Sequence, residues 1–314
     1  MDAVVSARRQ IATRTVEIAL ERRDGRELGA WEPGSHVDLH LPGGLVRQYS
    51  LCGDPADTGR WTVAVLDVAG GRGGSRAVHE RLVPGTAVTV DGPRNTFPLV
   101  AADRYVFVAG GIGITPIVTM VESAARGPAP WHLLYLARDR DAMAYADRLA
   151  PHGDAVTLWS DAERGICDVA AALADRGPGT TGGRAAVYCC GPEPLLGAVE
   201  RLAGGWPPGT LHVERFSAVA EDTSGDSTIE VRLERSGLTL EVPAGCSILE
   251  AVERAGVAVL SSCREGTCGT CETDVLDGVP EHRDSVLDEE ARGAGDIMMI
   301  CVSRSRSPRL VLDI

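Results

Sequence analysis

Tyr105-Val106-Phe107-Val108-Ala109-Gly110-Gly111-Ile112-Gly113-Ile114-Thr115-Pro116 is where the chain changes its grammar. Five apolar residues in unbroken succession read as a strand buried on both faces, because a strand with one wet face would alternate. A glycine turn follows, then a helical pattern through about Arg126. Trp131 to Ala137 repeats the strand, Ala142 to Leu149 reads as a helix, and Ala155 to Ser160 as a third strand. Val169 to Asp175 (helix), Ala185 to Cys190 (strand) and Glu193 to Leu202 (helix) complete the series. Strands alternating with helices predict a doubly wound parallel α/β sheet over 99–216. The turn at Gly110–Gly113 leaves helical N–H groups open to a pyrophosphate, or it serves close packing. Pro116 stands where G-x-G-x-x-G needs its third glycine, so this is not the ordinary dinucleotide fingerprint.

Upstream, residues 1–98 read as short strands. Thr13 to Leu20, Ser35 to Leu41, Gln48 to Cys52, Trp61 to Val68 and Ala87 to Asp91 are divided by Asp24-Gly25, Pro42-Gly43-Gly44 and Pro84-Gly85. One helix, Ser75 to Leu82, interrupts them, and the pattern predicts a small antiparallel β-barrel. On the strand Arg47-Gln48-Tyr49-Ser50-Leu51, Arg47, Tyr49 and Leu51 share one face and Ser50 takes the other. A ring to stack, a cation for phosphate and a hydroxyl suit a flat, phosphorylated heterocycle. Gly70-Gly71-Arg72-Gly73-Gly74-Ser75 then opens a helix, a second anion-ready N-terminus.

Downstream, residues 217–227 are small and polar and read as a linker. Thr228 to Leu233 and Leu238 to Val242 form a hairpin pattern. Ser247 and Glu250 make a capping box for a helix over Ile248 to Ala255, closed by Gly256, and Arg309 to Ile314 is a terminal strand. Between them lies Cys263-Arg264-Glu265-Gly266-Thr267-Cys268-Gly269-Thr270-Cys271, with Cys301 further on. C-x4-C-x2-C plus a distant cysteine is the plant-type [2Fe–2S] spacing, and Cys263, Cys268, Cys271 and Cys301 are the expected iron ligands. The alternatives are a zinc site, which more often shows paired C-x2-C knuckles, and buried free thiols. Gly266 and Gly269 let the backbone curl round a cluster and aim N–H groups at sulfur.

The 314 residues suit two or three domains, and 44% hydrophobic with 24% charged residues is an ordinary globular balance. A net charge of −13 lacks the basic footprint of a nucleic-acid binder. All the basic residues counted beside histidine are arginine, a composition bias of the source. Nine cysteines, unevenly placed, fit no secreted disulfide framework. No apolar run is long enough for a membrane span, and Met1-Asp2-Ala3 opens no signal pattern, so the expected location is cytoplasmic.

Arg47-Gln48-Tyr49-Ser50-Leu51, Gly-Gly-Ser before a helix, Gly110 to Pro116 and Cys190-Gly191-Pro192, in that order, resemble the ferredoxin–NADP reductase superfamily. With a plant-type ferredoxin segment at its C-terminal end, the chain resembles the phthalate dioxygenase reductase family, which includes vanillate demethylase reductases. The resemblance implies a flavin barrel over 1–98, a nicotinamide nucleotide domain over 99–216 and a β-grasp ferredoxin domain over 228–314. It implies that Arg47, Tyr49 and Ser50 hold the flavin, that Gly73, Gly74 and Ser75 cradle its phosphate, and that Leu66 to Val68 pass under its pyrimidine edge. Gly92 to Leu99 is similar to the turn of FMN-using members, and no aromatic-bearing insertion offers a stack for adenine, so FMN is expected. Gly111, Gly113 and Thr115 would line the nicotinamide nucleotide site, Cys190 would stand beside the nicotinamide and Phe216 would cover the flavin. Ser50, Thr115, Cys190 and Phe216 are thus the expected catalytic set, and His79 is read as structural.

The implied activity is NADH to FMN to [2Fe–2S] to an external acceptor. No oxygen-activating motif is present, so a terminal oxygenase is the expected partner, either Rieske-type or a cytochrome P450. A non-enzymatic ferredoxin-like carrier on a degenerate scaffold, and a zinc-stabilised binding protein, are the competing readings. The resemblance implies NADH over NADPH; the local charges do not decide it, since Arg138 and Arg140 at the end of the second parallel strand favour a 2′-phosphate while Asp139 and Asp141 oppose it or accept a ribose hydroxyl.

Overall fold

The structure, a computed structural model, describes residues 1–71, 73–176, 178, 183–217 and 223–314. It divides into two compact units, Met1–Glu214 and Arg215–Ile314. Residues 218–222 of the expected linker and residue 72 of the glycine loop lie outside the described residues. Among the described residues no helix is long and apolar enough to cross a membrane.

The first unit opens with six strands ordered Leu45–Ser50, His36–Leu41, Ala87–Arg94, Asp2–Ala12, Thr15–Arg22, Trp61–Leu66, with every ladder antiparallel. The two ends of this sheet meet. Leu51 bridges Val63, and the Cys52 N–H donates to the Thr62 carbonyl at 2.9 Å, so the sheet closes into the expected barrel. Ile18, Leu20, Val37, Leu39, Trp61, Val63 and Val90 fill it. The first strand was not expected from the sequence: Ala3 and Val5 are its buried anchors, while Arg8, Arg9 and Gln10 break the apolar alternation.

Five strands follow in the order Leu211–Glu214, Ala185–Cys190, Arg104–Gly110, Trp131–Ala137, Val156–Ser160, all parallel. Alternate residues of Arg104–Gly110 serve opposite faces. Phe107 and Ala109 pack with Ile117, Val118 and Val121 of the helix Ile114–Arg126, and Val106 and Val108 pack with Leu196 and Val199 of the helix Glu193–Ala203. Strand order reverses between Arg104–Gly110 and Ala185–Cys190, so a crevice opens at their C-terminal ends, where sheets of this kind take ligands. The helix expected over 142–149 is instead a 3-10 turn, Arg140–Ala142, and a short helix, Ala146–Leu149. Tyr145, at φ 61°, separates them, and its hydroxyl is bonded to the Cys52 sulfur of the barrel at 2.9 Å.

The second unit carries a mixed sheet ordered Leu238–Val242, Ile229–Leu233, Arg309–Leu312, Glu272–Asp277, Ile297–Met299. Ile229–Leu233 and Arg309–Leu312 are parallel and the other pairs antiparallel, with the helix Ile248–Arg254 on its core: the β-grasp arrangement. The capping box is formed from both sides, Glu250 N–H to Ser247 Oγ at 3.1 Å and Ser247 N–H to Glu250 Oε2 at 3.4 Å.

Candidate active site

At one end of the barrel the strand Leu45–Ser50 meets the helix Gly74–Arg81. A Cβ on Gly74 would lie 2.4 Å from Arg47 Cγ and 2.7 Å from its Nε, so only glycine lets the strand's cation lie across the helix start. Gly73 precedes it in the left-handed region, φ 80°. Ser75 Oγ accepts the Val68 N–H at 3.1 Å, tying the end of the strand Trp61–Leu66 to the same turn. These bonds gather Arg47, Leu66, Val68, Gly73, Gly74 and Ser75 around one helix N-terminus, a cation beside backbone donors, which fits a phosphate. Tyr49 follows on the Arg47 strand, its phenol pushed above the usual range by burial, and Ser50 is buried. His79 Nε2 sits 2.9 Å from the Val65 carbonyl, a bond that ties helix to strand.

At the C-terminal ends of Arg104–Gly110 and Ala185–Cys190, two glycine turns are pressed backbone to backbone. A Cβ on Gly113 would lie 2.2 Å from the Cys190 carbonyl oxygen and 2.7 Å from Gly191 N, and one on Gly191 would lie 3.0 Å from Gly110 Cα. Gly111 is in the left-handed region, φ 53°, and its carbonyl accepts the Tyr135 hydroxyl at 3.2 Å. Thr115 is buried, with Oγ1 donating to the Ile112 carbonyl at 3.0 Å, which fixes the entry to the helix Ile114–Arg126. Cys190 is fully buried, and that burial, with Glu214 beside it, holds its thiol well above the ordinary range.

Glu214 is a site residue that sequence reasoning passed over. It ends the strand Leu211–Glu214, in register with Cys190, with Oε2 4.0 Å from the Cys190 sulfur. Desolvation pushes its carboxyl up to about 8. The available signal was an acid two residues before Phe216, but a single acid at the end of a short edge strand carries no periodicity to mark it. Phe216 follows and is exposed. At the end of the strand Trp131–Ala137, Asp139 Oδ1 accepts the Ala142 N–H at 2.9 Å, Arg140 pairs with Glu163 at 3.3 Å, and Arg138 is exposed.

In the second unit, Cys268, Cys271 and Cys301 are buried and Cys263 is half-buried. The four sulfurs are neighbours: Cys263 is hydrogen-bonded to Cys268 and to Cys301, and Cys301 also to Cys271. Those bonds hold the Cys263 thiol below its ordinary range and raise that of Cys301. Among the described residues no point gathers three or more His, Cys, Asp or Glu for a single metal ion. Four neighbouring thiols in plant-type spacing fit a [2Fe–2S] cluster, whose two irons each take two thiolates. Backbone donors already face these sulfurs: Glu265 and Thr267 N–H to Cys263 at 3.3 and 3.4 Å, and Thr270 N–H to Cys268 at 3.5 Å. Gly266 and Gly269, at φ 67° and 74°, give the loop its curl.

Residues 231–306 match the family described as 2Fe-2S iron-sulfur cluster binding domain. The chain is 45% identical over 294 residues to phenoxybenzoate dioxygenase subunit beta of Ectopseudomonas oleovorans, covering 93% of this chain and 90% of that one. It is 38% identical over 321 residues to vanillate O-demethylase oxidoreductase of Pseudomonas sp. (strain HR199 / DSM 7063), covering 100% of both. Among solved structures, phthalate dioxygenase reductase, described as modular for electron transfer from pyridine nucleotides to [2Fe-2S], matches with a TM-score of 0.70 at 36% identity, covering 100% of this chain and 98% of that one. An intact type IV self-sufficient cytochrome P450 monooxygenase matches with a TM-score of 0.92 at 42% identity, covering 100% of this chain and 41% of that one. The chain therefore spans about two fifths of the length of that fused protein.

Proposed function

The chain belongs to the phthalate dioxygenase reductase family, and on that premise we propose that it is an NADH-dependent oxygenase reductase, passing electrons through FMN and a [2Fe–2S] cluster to a terminal oxygenase. The observation that carries this reading is the group of four neighbouring cysteines in the stretch that matches the 2Fe-2S family, in a chain whose first unit holds two glycine-built turns at helix starts. When bound, flavin splits a hydride into single electrons and the iron–sulfur cluster relays them one at a time.

The chain's own residues supply position and environment. Arg47 and the N–H groups at Gly73 and Gly74 hold the flavin phosphate, Tyr49 offers its ring to the heterocycle, and Ser50 offers a hydroxyl. Gly111, Gly113 and Thr115 would line the nicotinamide nucleotide, with Cys190 and Glu214 side by side at the ends of neighbouring strands. The buried Cys190 thiol, held above its ordinary range, would place no thiolate charge beside the bound ring. Cys263, Cys268, Cys271 and Cys301 hold the irons. The division of labour follows the chain: 1–98 for flavin, 99–216 for nucleotide, 228–314 for the cluster.

The acceptor is a Rieske-type oxygenase, the reading that the aromatic-oxygenase relatives support. A cytochrome P450 is the second reading, favoured by the 0.92 TM-score to the self-sufficient monooxygenase. Purified protein, mixed anaerobically with NADH and either acceptor, tests both. Reduction of the Rieske protein at a rate that saturates with its concentration is expected. Reduction of the P450 alone would move the reading to the second acceptor, and failure to reduce either would overturn it.

A further inference from the structure

We propose that Asp284 is a positioning residue for the cluster: a buried carboxylate that braces the ligand loop and holds the cluster's reduction potential down, with Arg292 as its counter-charge. The inference rests on the reading that the cysteine quartet holds a [2Fe–2S] cluster. The Asp284 side chain has no exposed surface. Its Oδ2 accepts the Val286 and Leu287 N–H groups at 3.0 and 2.8 Å, and Ser303 Oγ lies 3.4 Å from its Oδ1.

Its backbone lies directly on the ligand loop. A Cβ on Gly266 would sit 2.9 Å from Asp284 Cα, and the neighbouring Ser285 N–H donates to the Gly266 carbonyl at 2.8 Å. Ser303 stands two positions after Cys301 in the chain. Asp284 therefore touches the loop that supplies three sulfurs and, through Ser303, the segment that supplies the fourth. Two basic side chains face it. Arg292 Nη2 is 3.8 Å from Oδ2 and also donates to the Asp284 carbonyl. His282 Nδ1 is 3.9 Å from Oδ1, but burial holds its ring below the ordinary range, so Arg292 is the standing cation at neutral pH.

Reduction adds one electron and neither makes nor breaks a bond. A fixed negative charge nearby opposes that electron and a fixed positive charge favours it, and burial keeps both effects from being screened away. Dithionite titration of the whole chain, followed by the electron paramagnetic resonance signal of the reduced cluster, reads the potential directly. Asp284→Asn keeps an oxygen for the two N–H groups and removes the charge. It should raise the reduced-to-oxidised ratio at a fixed poise by about tenfold, which is 59 mV for one electron. Arg292→Gln should lower that ratio. Opposite shifts support the proposal; shifts of one sign, or none with the cluster retained, overturn it. If Asp284→Asn loses its cluster, Arg292→Gln decides alone, and an unchanged or raised potential there is the refuting result. Absence of iron and labile sulfide from the parent protein would instead defeat the cluster reading itself.

Discussion

Replacing Gly113 by alanine tests whether the two glycine turns must touch for the nucleotide crevice to exist. The new Cβ would lie 2.2 Å from the Cys190 carbonyl oxygen, 2.5 Å from its carbon and 2.7 Å from Gly191 N. All three are backbone atoms, so no side chain can swing aside. The turns must part by about 0.8 Å to bring the closest contact to 3.0 Å. Overpacking of this size costs about 2 kcal/mol, or roughly 4–8 °C of Tm in a unit of this size. Displacing the wall that carries Cys190 by nearly 1 Å should cost NADH–ferricyanide kcat/KM about 100-fold. Gly111→Ala provides the contrast: its φ of 53° strains an alanine, but nothing lies within 4 Å of the added atom. It should cost about 1 kcal/mol and leave the Cys190 wall in place. Thermal melting and steady-state kinetics on both variants separate collision from strain. A Gly113→Ala protein within about 2 °C and twofold of the parent would refute the reasoning.

Glu214→Gln should flatten the pH dependence of stability. With a folded value near 8 against an ordinary 4.5, the unfolded chain ionises first, so the parent loses stability as pH rises from about 4.5 to 8. At pH 7 the glutamine variant should therefore be more stable, by at most about 3 kcal/mol and less to the extent that water reaches the partly exposed residue; parallel urea midpoints from pH 5 to pH 8 would contradict this. Cys268→Ser should remove the cluster's visible absorption while NADH–ferricyanide turnover stays within a few-fold, since hydride transfer precedes the cluster; loss of turnover with flavin still bound would reverse the order of electron flow. Asp139→Ser should narrow the preference for NADH by removing a charge that repels a 2′-phosphate, while serine still caps the Ala142 N–H; kcat/KM for both nucleotides reads the ratio, and an unchanged ratio would move selectivity elsewhere.

What could be read early was what local chemistry dictates. Strands buried on both faces must be continuous apolar runs, so Arg104–Gly110 and Ala185–Cys190 stood out, and the four cluster cysteines were marked by spacing alone. The capping box at Ser247 and Glu250 is likewise a matter of four neighbouring residues. The strand Asp2–Ala12 escaped because Arg8, Arg9 and Gln10 break its apolar alternation, and Leu211–Glu214 because four residues carry no period.

The remainder depends on partners far apart in the chain. Tyr145 breaks an expected helix because its hydroxyl meets Cys52, 93 positions away, and no local propensity encodes that bond. The Glu214 carboxyl is raised because it is desolvated beside Cys190, and Asp284 meets the cysteine loop because Gly266 folds onto its backbone. By itself the sequence determined the three kinds of structural unit, the cysteine spacing and the two glycine turns, because spacing and periodicity carry them. Only the tertiary structure decided which turns touch, which thiols neighbour one another and which acids are buried, because desolvation and contact exist only once distant segments meet.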